Sequence, residues 1–163
     1  MGRQRSKPGE GLSAAEVREE GVDVTFMVWL TSRATTDLVD AALAPAGLNG
    51  DEFAIYSVLN AAPSITPTEL ARWMAAPPTT VSSYVKRFEA RGHVKREPNP
   101  NDRRSYRIEL TPEGRRAHRD ASALFMPLRS RVEGGLGDRE KHVREALLTL
   151  RTVLDEIRHS PDD

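Results

Sequence analysis

The stretch from Arg96 to Thr111, REPNPNDRRSYRIELT, places four arginines (Arg96, Arg103, Arg104 and Arg107) around a single aspartate, Asp102. Asn, Pro and Asp serve the geometry of a turn. The arginines do not. A guanidinium offers five N–H donors in a rigid fork that matches carboxylate or phosphate oxygens. The chemistry of this segment is therefore anion binding. Between Lys86 and Arg116, ten Lys and Arg residues stand against five acids, a local charge of +5 in a chain of net charge zero. The basic character is confined to the middle of the chain and implies a localised anionic partner.

A second set of donors precedes it, in TTVSSYVKRFEARG. Val81, Val85 and Phe88 recur at steps of four and three, one face of a helix. Thr79, Thr80, Ser82, Ser83, Lys86 and Arg87 fall on the other faces. Short hydroxyls near a helix start allow close approach to base edges, and the cations a turn later can neutralise phosphates.

Other chemistries find little support. Cysteine is absent, which excludes disulfides, thiolate metal sites and thiol redox sensing. The sequence lacks GxxxxGK[ST], HExxH and GxSxG, and GEGLSA only half-matches a dinucleotide fingerprint with no strand before it. His93, His118, His142 and His159 are far apart in sequence and read as packed or solvated rather than as metal ligands. No metal, cofactor or enzymatic activity is expected. No run reaches the length of a membrane span, and no apolar segment follows the basic start directly. MGRQRS fits a myristoylation pattern, but a charged tail explains it as well. A cytoplasmic protein is expected.

The elements that would carry these groups can be read from pattern. The 163 residues suffice for one domain, with modest hydrophobic and high charged content. Residues 1–12 read as a disordered tail. A long helix is expected from Ser13 to Ala44, with an apolar stripe of Val24, Met27, Leu30, Ala34, Leu38 and Ala41. A second follows over Asp51–Ala61, with Phe53, Tyr56 and Leu59 on one side. Thr66, Pro67 and Glu69 supply an N-cap, a first-turn proline and a capping box for a third, whose buried side is Leu70, Trp73 and Met74. Prolines open the fourth helix and Gly92 stops it.

Val94–Glu97 and the alternating SYRIEL then form a hairpin with its tip at Pro98–Arg103. Thr111 caps a fifth helix with the stripe Ala117, Ala121, Leu124, Leu128 and Val132, and Pro127 is expected to kink it. GGLGD should interrupt the chain, with Asp138 capping a sixth helix. There Val143, Leu147, Leu150, Leu154 and Ile157 make a short heptad seam.

Three helices followed by a two-stranded ribbon make a helix-turn-helix with an appended wing. A helix fits the major groove of duplex DNA, and an arginine at a ribbon tip can enter the narrow minor groove. A carboxylate is costly in that field, so Asp102 is expected to orient Arg104 rather than touch DNA.

This order of residues resembles the MarR (multiple-antibiotic-resistance regulator) family. LNGDEFAIYSVL resembles the helix opening the family's DNA-binding lobe, TPTELARWM the first helix of its helix-turn-helix, and TTVSSYVKRFEARGHVKR its recognition helix. NPNDRRSYRIELTPEG resembles its wing, with the Asp-x-Arg tip and the Leu-Thr-x-x-Gly helix start. The resemblance implies a mainly α fold with a small β-hairpin: a winged helix-turn-helix lobe over 48–114 and a helical dimerisation lobe from 13–47 and 115–159.

It further implies a homodimer on a pseudo-palindromic duplex, acting as a transcriptional regulator, most simply a repressor. Thr79, Thr80, Ser82, Ser83, Lys86 and Arg87 would meet bases and phosphates, with Asn101, Asp102, Arg103 and Arg104 at the wing. A small aromatic effector is implied, with Trp29 and His118 as candidate pocket residues. Two features stand apart from the common pattern: the paired prolines of AAPPTT remove backbone donors at the recognition-helix entry, and the lack of Cys excludes thiol-based peroxide sensing. The competing reading is a winged helix that binds protein rather than DNA.

Overall fold

A computed structural model describes residues 22–102 and 104–160. The expected tail, the myristoylation pattern, the first turns from Ser13 and the side chain of Arg103 lie outside the described residues. Backbone contacts divide the chain into two units, one ending at Leu38 and one running from Val39.

Helix α1 (Val24–Leu43) supplies the described helix of the first unit and enters the second. It opens at Asp23, whose Oδ1 accepts the Phe26 N–H at 3.0 Å. Phe26 and Trp29 stack at 5.8 Å, and both are exposed. The stripe read from the sequence is real as a periodicity, but Val24, Met27 and Leu38 are open to solvent.

In the second unit, α2 (Gly50–Ala61), α3 (Pro67–Trp73) and α4 (Pro78–Ala90) precede strands β1 (Val94–Pro98) and β2 (Tyr106–Leu110). The strands pair antiparallel from Val94↔Leu110 to Pro98↔Tyr106. Ile65 adds one more bridge, its carbonyl accepting the Ile108 N–H at 2.8 Å. Helix α5 (Pro112–Leu136) and α6 (Glu140–His159) follow. The core is Leu43, Ile55, Tyr56, Leu59, Leu70, Val81, Val85, Phe88, Ile108 and their neighbours, all within this unit. It holds α2, α3, α4 and the ribbon together by apolar burial.

The caps set the helix starts. Asn49 Oδ1 accepts the Glu52 N–H at 2.9 Å at the head of α2. The capping box at α3 is complete, with Thr66 and Glu69 satisfying each other's backbone N–H groups. Thr111 Oγ1 accepts from Gly114 N–H at 3.1 Å at the head of α5.

Two expectations are corrected. Trp73 is exposed, at 59 %, where burial was expected. At 100° per residue the buried arc of α3 runs from Leu70 through Met74 to Ala71, and Trp73 falls outside it. GGLGD does interrupt the helical run, at Gly137–Asp138 rather than at Gly134–Gly135, but its Asp138 is not the cap. α5 continues to Leu136, then a single 3-10 turn over Gly137–Arg139 leads into α6. Arg139 is the residue at the α6 N-cap, with no side-chain cap bond, so Asp138 does not cap that helix. Pro127 is accommodated inside the continuous α5. No residue of α6 is buried, and Leu147, Leu154 and Ile157 of its seam are exposed at 53, 47 and 64 %.

Candidate nucleic-acid interface

Helix α4 turns Val81, Val85 and Phe88 into the core, and this fixes which side chains point outward. Thr79, Thr80, Ser83, Lys86 and Arg87 are exposed and Ser82 is half-buried. The expected hydroxyl-and-cation face therefore exists as one surface of one helix. Its N-terminus has few donors left. Pro78 has no N–H, and the N–H groups of Thr80 and Val81 already bond the Pro77 carbonyl at 3.0 and 3.2 Å. Thr79 alone in that first turn keeps an N–H outside these bonds, so side chains must do most of the contacting. The Ser83 hydroxyl donates to the Thr79 carbonyl at 3.0 Å, which leaves its oxygen lone pairs facing outward.

The wing tip is held by its own polar groups. Asn99, 9 % exposed, accepts the Asn101 N–H on Oδ1 at 3.1 Å and lies 3.4 Å from Arg107 Nε. Asp102 Oδ1 accepts the backbone N–H of Arg104 at 2.9 Å, and the Asp102 carbonyl accepts the Ser105 N–H at 3.0 Å. Asp102 thus shapes the turn through the backbone of Arg104. Its contact is to the backbone N–H of Arg104 and not to the guanidinium. Arg104 itself is exposed.

The basic window is partly neutralised in place. Arg96 pairs with Glu89 at 2.5 Å, Lys95 with Glu97 and Glu109 at 2.6 and 3.3 Å, and Arg116 with Glu113 at 2.7 Å. Exposed pairs of this kind contribute little stability. Among the described residues, Lys86 and Arg104 have no carboxylate within ion-pair distance. Arg107 and Arg115 also lack a carboxylate partner but are engaged by Asn99 and Ser64 and by the Leu110 carbonyl, which leaves Lys86 on α4 and Arg104 on the wing turned to solvent.

Sequence reasoning missed the carboxylate behind α4. Glu52 is 3 % exposed, and its carboxylate lies 3.2 Å from Arg91 and 3.7 Å from Arg87. Burial opposes the charge of Arg91, but its hydrogen bonds to Glu52 and Tyr56 more than offset this and raise its pKa. The signal was present. Glu52, Ile55, Tyr56 and Leu59 recur at helical steps of three, one and three, so the glutamate sits on the buried stripe of α2. Beside it, the Tyr84 hydroxyl donates to Asp51 at 2.8 Å, and the Arg87 guanidinium lies over the Tyr84 ring at 4.6 Å.

The candidate pocket residues sit in different units. Trp29 lies on α1 in the first, 56 % exposed. His118 is half-buried on α5 in the second, stacked on Phe53 at 5.6 Å with Nε2 3.2 Å from Ser57 Oγ. Burial, with Arg119 nearby, holds its pKa below the usual histidine value. Among the described residues no helix is long and apolar enough to cross a membrane.

A helix-turn-helix whose second helix presents hydroxyls and cations, followed by an arginine-tipped ribbon, defines a winged-helix DNA-binding regulator. Comparison with known proteins agrees. Residues 46–105 match the model of the MarR family. The transcriptional repressor Rv2887 of Mycobacterium tuberculosis is 32 % identical over 94 residues, spanning 58 % of this chain and 68 % of that protein. The M. tuberculosis regulator MosR, solved in complex with DNA, superposes with a TM-score of 0.75 at 26 % identity, covering 84 % of this chain and 99 % of that one. CouR of Rhodococcus jostii RHA1, solved bound to p-coumaroyl-CoA, gives a TM-score of 0.71 at 27 % identity, covering 80 and 91 %. The chain belongs to the MarR family of DNA-binding transcriptional regulators.

Proposed function

We propose that the chain is a homodimeric repressor that binds a pseudo-palindromic duplex, with α4 in the major groove and the wing in the flanking minor groove. Two-fold symmetry of the protein then requires half-sites about one helical turn apart. Thr79, Thr80, Ser82 and Ser83 would meet base edges, and Lys86 and Arg87 phosphates. Asn101 and Arg103 would flank Arg104, which enters the minor groove, while Asp102 acts through the turn. The observation that carries this reading is the pair of unneutralised cations, Lys86 and Arg104, on the two elements that a groove would receive. The solved MosR–DNA complex supports the same partner.

Dimerisation is supported by helices that bury little within one chain. α6 has no buried residue, and α1 buries only Leu43. Residues 13–47 and 115–159 form the dimerisation lobe in this reading, and 48–114 the DNA lobe. Release by a small aromatic ligand is the accompanying proposal. It is supported by CouR, which was solved bound to p-coumaroyl-CoA, and His118 on α5 is the residue proposed to take part.

Sedimentation of the protein alone and with excess duplex tests the assembly. Two chains in free solution and two chains per duplex are expected. One chain per duplex would contradict it.

A further inference from the structure

We propose that Glu52 is a positioning residue for DNA binding, holding Arg87 in a shape that presents its guanidinium to a phosphate. The inference rests on the reading of α4 as the recognition helix.

The geometry has three parts. Glu52 is buried, so its carboxylate is not itself offered to DNA. Its position is fixed from below: Asn49 caps the backbone of Glu52, and the Asp40 carboxylate accepts the neighbouring Gly50 N–H at 2.6 Å. An ionised carboxylate in such a place requires charged or hydrogen-bonding partners, and those within reach are Arg91 at 3.2 Å and Arg87 at 3.7 Å, with the first turn of α2 adding its favourable dipole. Arg87 is the looser partner, and its side chain remains 51 % exposed.

The second constraint on Arg87 is the Tyr84 ring, 4.6 Å from its guanidinium carbon. Tyr84 is itself tied down, donating to Asp51 at 2.8 Å. Consecutive acids at the start of α2 therefore hold Arg87 from two directions, one by charge and one through an aromatic face. Five donors on a guanidinium leave several for an outside oxygen after one side is engaged. A long side chain already confined loses less freedom when it meets phosphate. Lys86, its neighbour, has no such cradle, so the arrangement distinguishes one cation of α4 from the next.

A mutant cycle on an operator duplex tests this. Glu52→Gln keeps shape and removes the charge. It should weaken binding severalfold in the native chain and lower the slope of log affinity against log salt, as expected when one phosphate contact is lost. In an Arg87→Ala background the same change should have no further effect. Equal weakening in both backgrounds would make Glu52 a general structural residue and overturn the proposal. Unchanged or tighter binding of Glu52→Gln would overturn it too, the latter showing that the carboxylate merely competes for the guanidinium. Arg87→Ala binding like the native chain would instead remove Arg87 from the interface, and the inference with it. If thermal melting shows that Glu52→Gln does not fold, Tyr84→Leu carries the same cycle with the same expected loss of coupling.

Discussion

The carbonyl oxygen of His93 stands directly against Gly114: a Cβ on Gly114 would lie 2.0 Å from it. Three further bonds close the junction. The Thr111 N–H donates to that same carbonyl at 3.0 Å, the Thr111 hydroxyl donates to the Gly92 carbonyl at 2.7 Å, and the Gly114 N–H returns to the Thr111 hydroxyl at 3.1 Å. The head of α5 is thereby clamped onto the turn that joins α4 to the wing. Gly114→Ala forces backbone apart on both sides, and we expect a loss of about 3 kcal/mol in denaturant unfolding, at the upper end of overpacking costs. A loss below about 1 kcal/mol would mean that the junction yields without resistance.

The wing should show a graded response. Arg104→Ala is expected to weaken operator binding by about 1–3 kcal/mol, the range of one groove contact. Asp102→Ala loses the bond to the Arg104 N–H and should act in the same direction by less. Titration by fluorescence anisotropy measures both. Tighter binding by Asp102→Ala would make charge repulsion the better account of that residue.

Acidification should destabilise the fold before it protonates the carboxylates. Burial, with Arg91 nearby, lowers the pKa of His93, whose Nδ1 lies 2.8 Å from the Tyr56 hydroxyl, and burial lowers that of His118. Below their ordinary value of 6.5 the unfolded chain then binds more protons than the folded one. The stabilising contribution is complete above that pH and is lost as pH falls toward the folded values. Melting temperature should decline across that window, and less steeply in a His93→Gln, His118→Asn double variant. Glu69, Glu109 and Glu113 have lowered values and contribute only further down, below 4.5. A native chain whose melting temperature stayed flat until the carboxylate range would contradict the assignment.

The seam of α6 predicts the fate of the assembly. Leu147→Glu with Leu154→Glu places charges on side chains that are exposed in one chain, so the fold of the DNA lobe should survive. Sedimentation should give the mass of a single chain, and operator affinity should fall with it. An unchanged dimer would move the interface elsewhere.

Much of this was legible in the sequence, because the elements announce themselves locally. Thr66–Pro67–Glu69 and Thr111–Pro112 mark helix starts whose caps the structure contains, and Tyr106–Ile108–Leu110 alternates as a half-buried strand does. Errors came where local signals compete with packing. Trp73 is large and apolar but lies outside the narrow buried arc of a seven-residue helix. Asp138 precedes a helical run as a cap would, but a 3-10 turn over Gly137–Arg139 intervenes and puts Arg139 at the α6 N-cap. For the site, outward faces could be read from periodicity alone. Partners could not: nothing local pairs Glu52 with Arg87 and Arg91 across the sequence, or directs the Asp102 carboxylate to a backbone N–H rather than a guanidinium.

Sequence-specific duplex binding is the role proposed for α4 and the wing. Selection from a pool of random duplexes, with affinity measured across a salt series, tests it most directly. Steeply salt-dependent binding and an enriched site with two-fold symmetry are expected. Salt-dependent binding with no enriched sequence, or no binding at low salt, would contradict it.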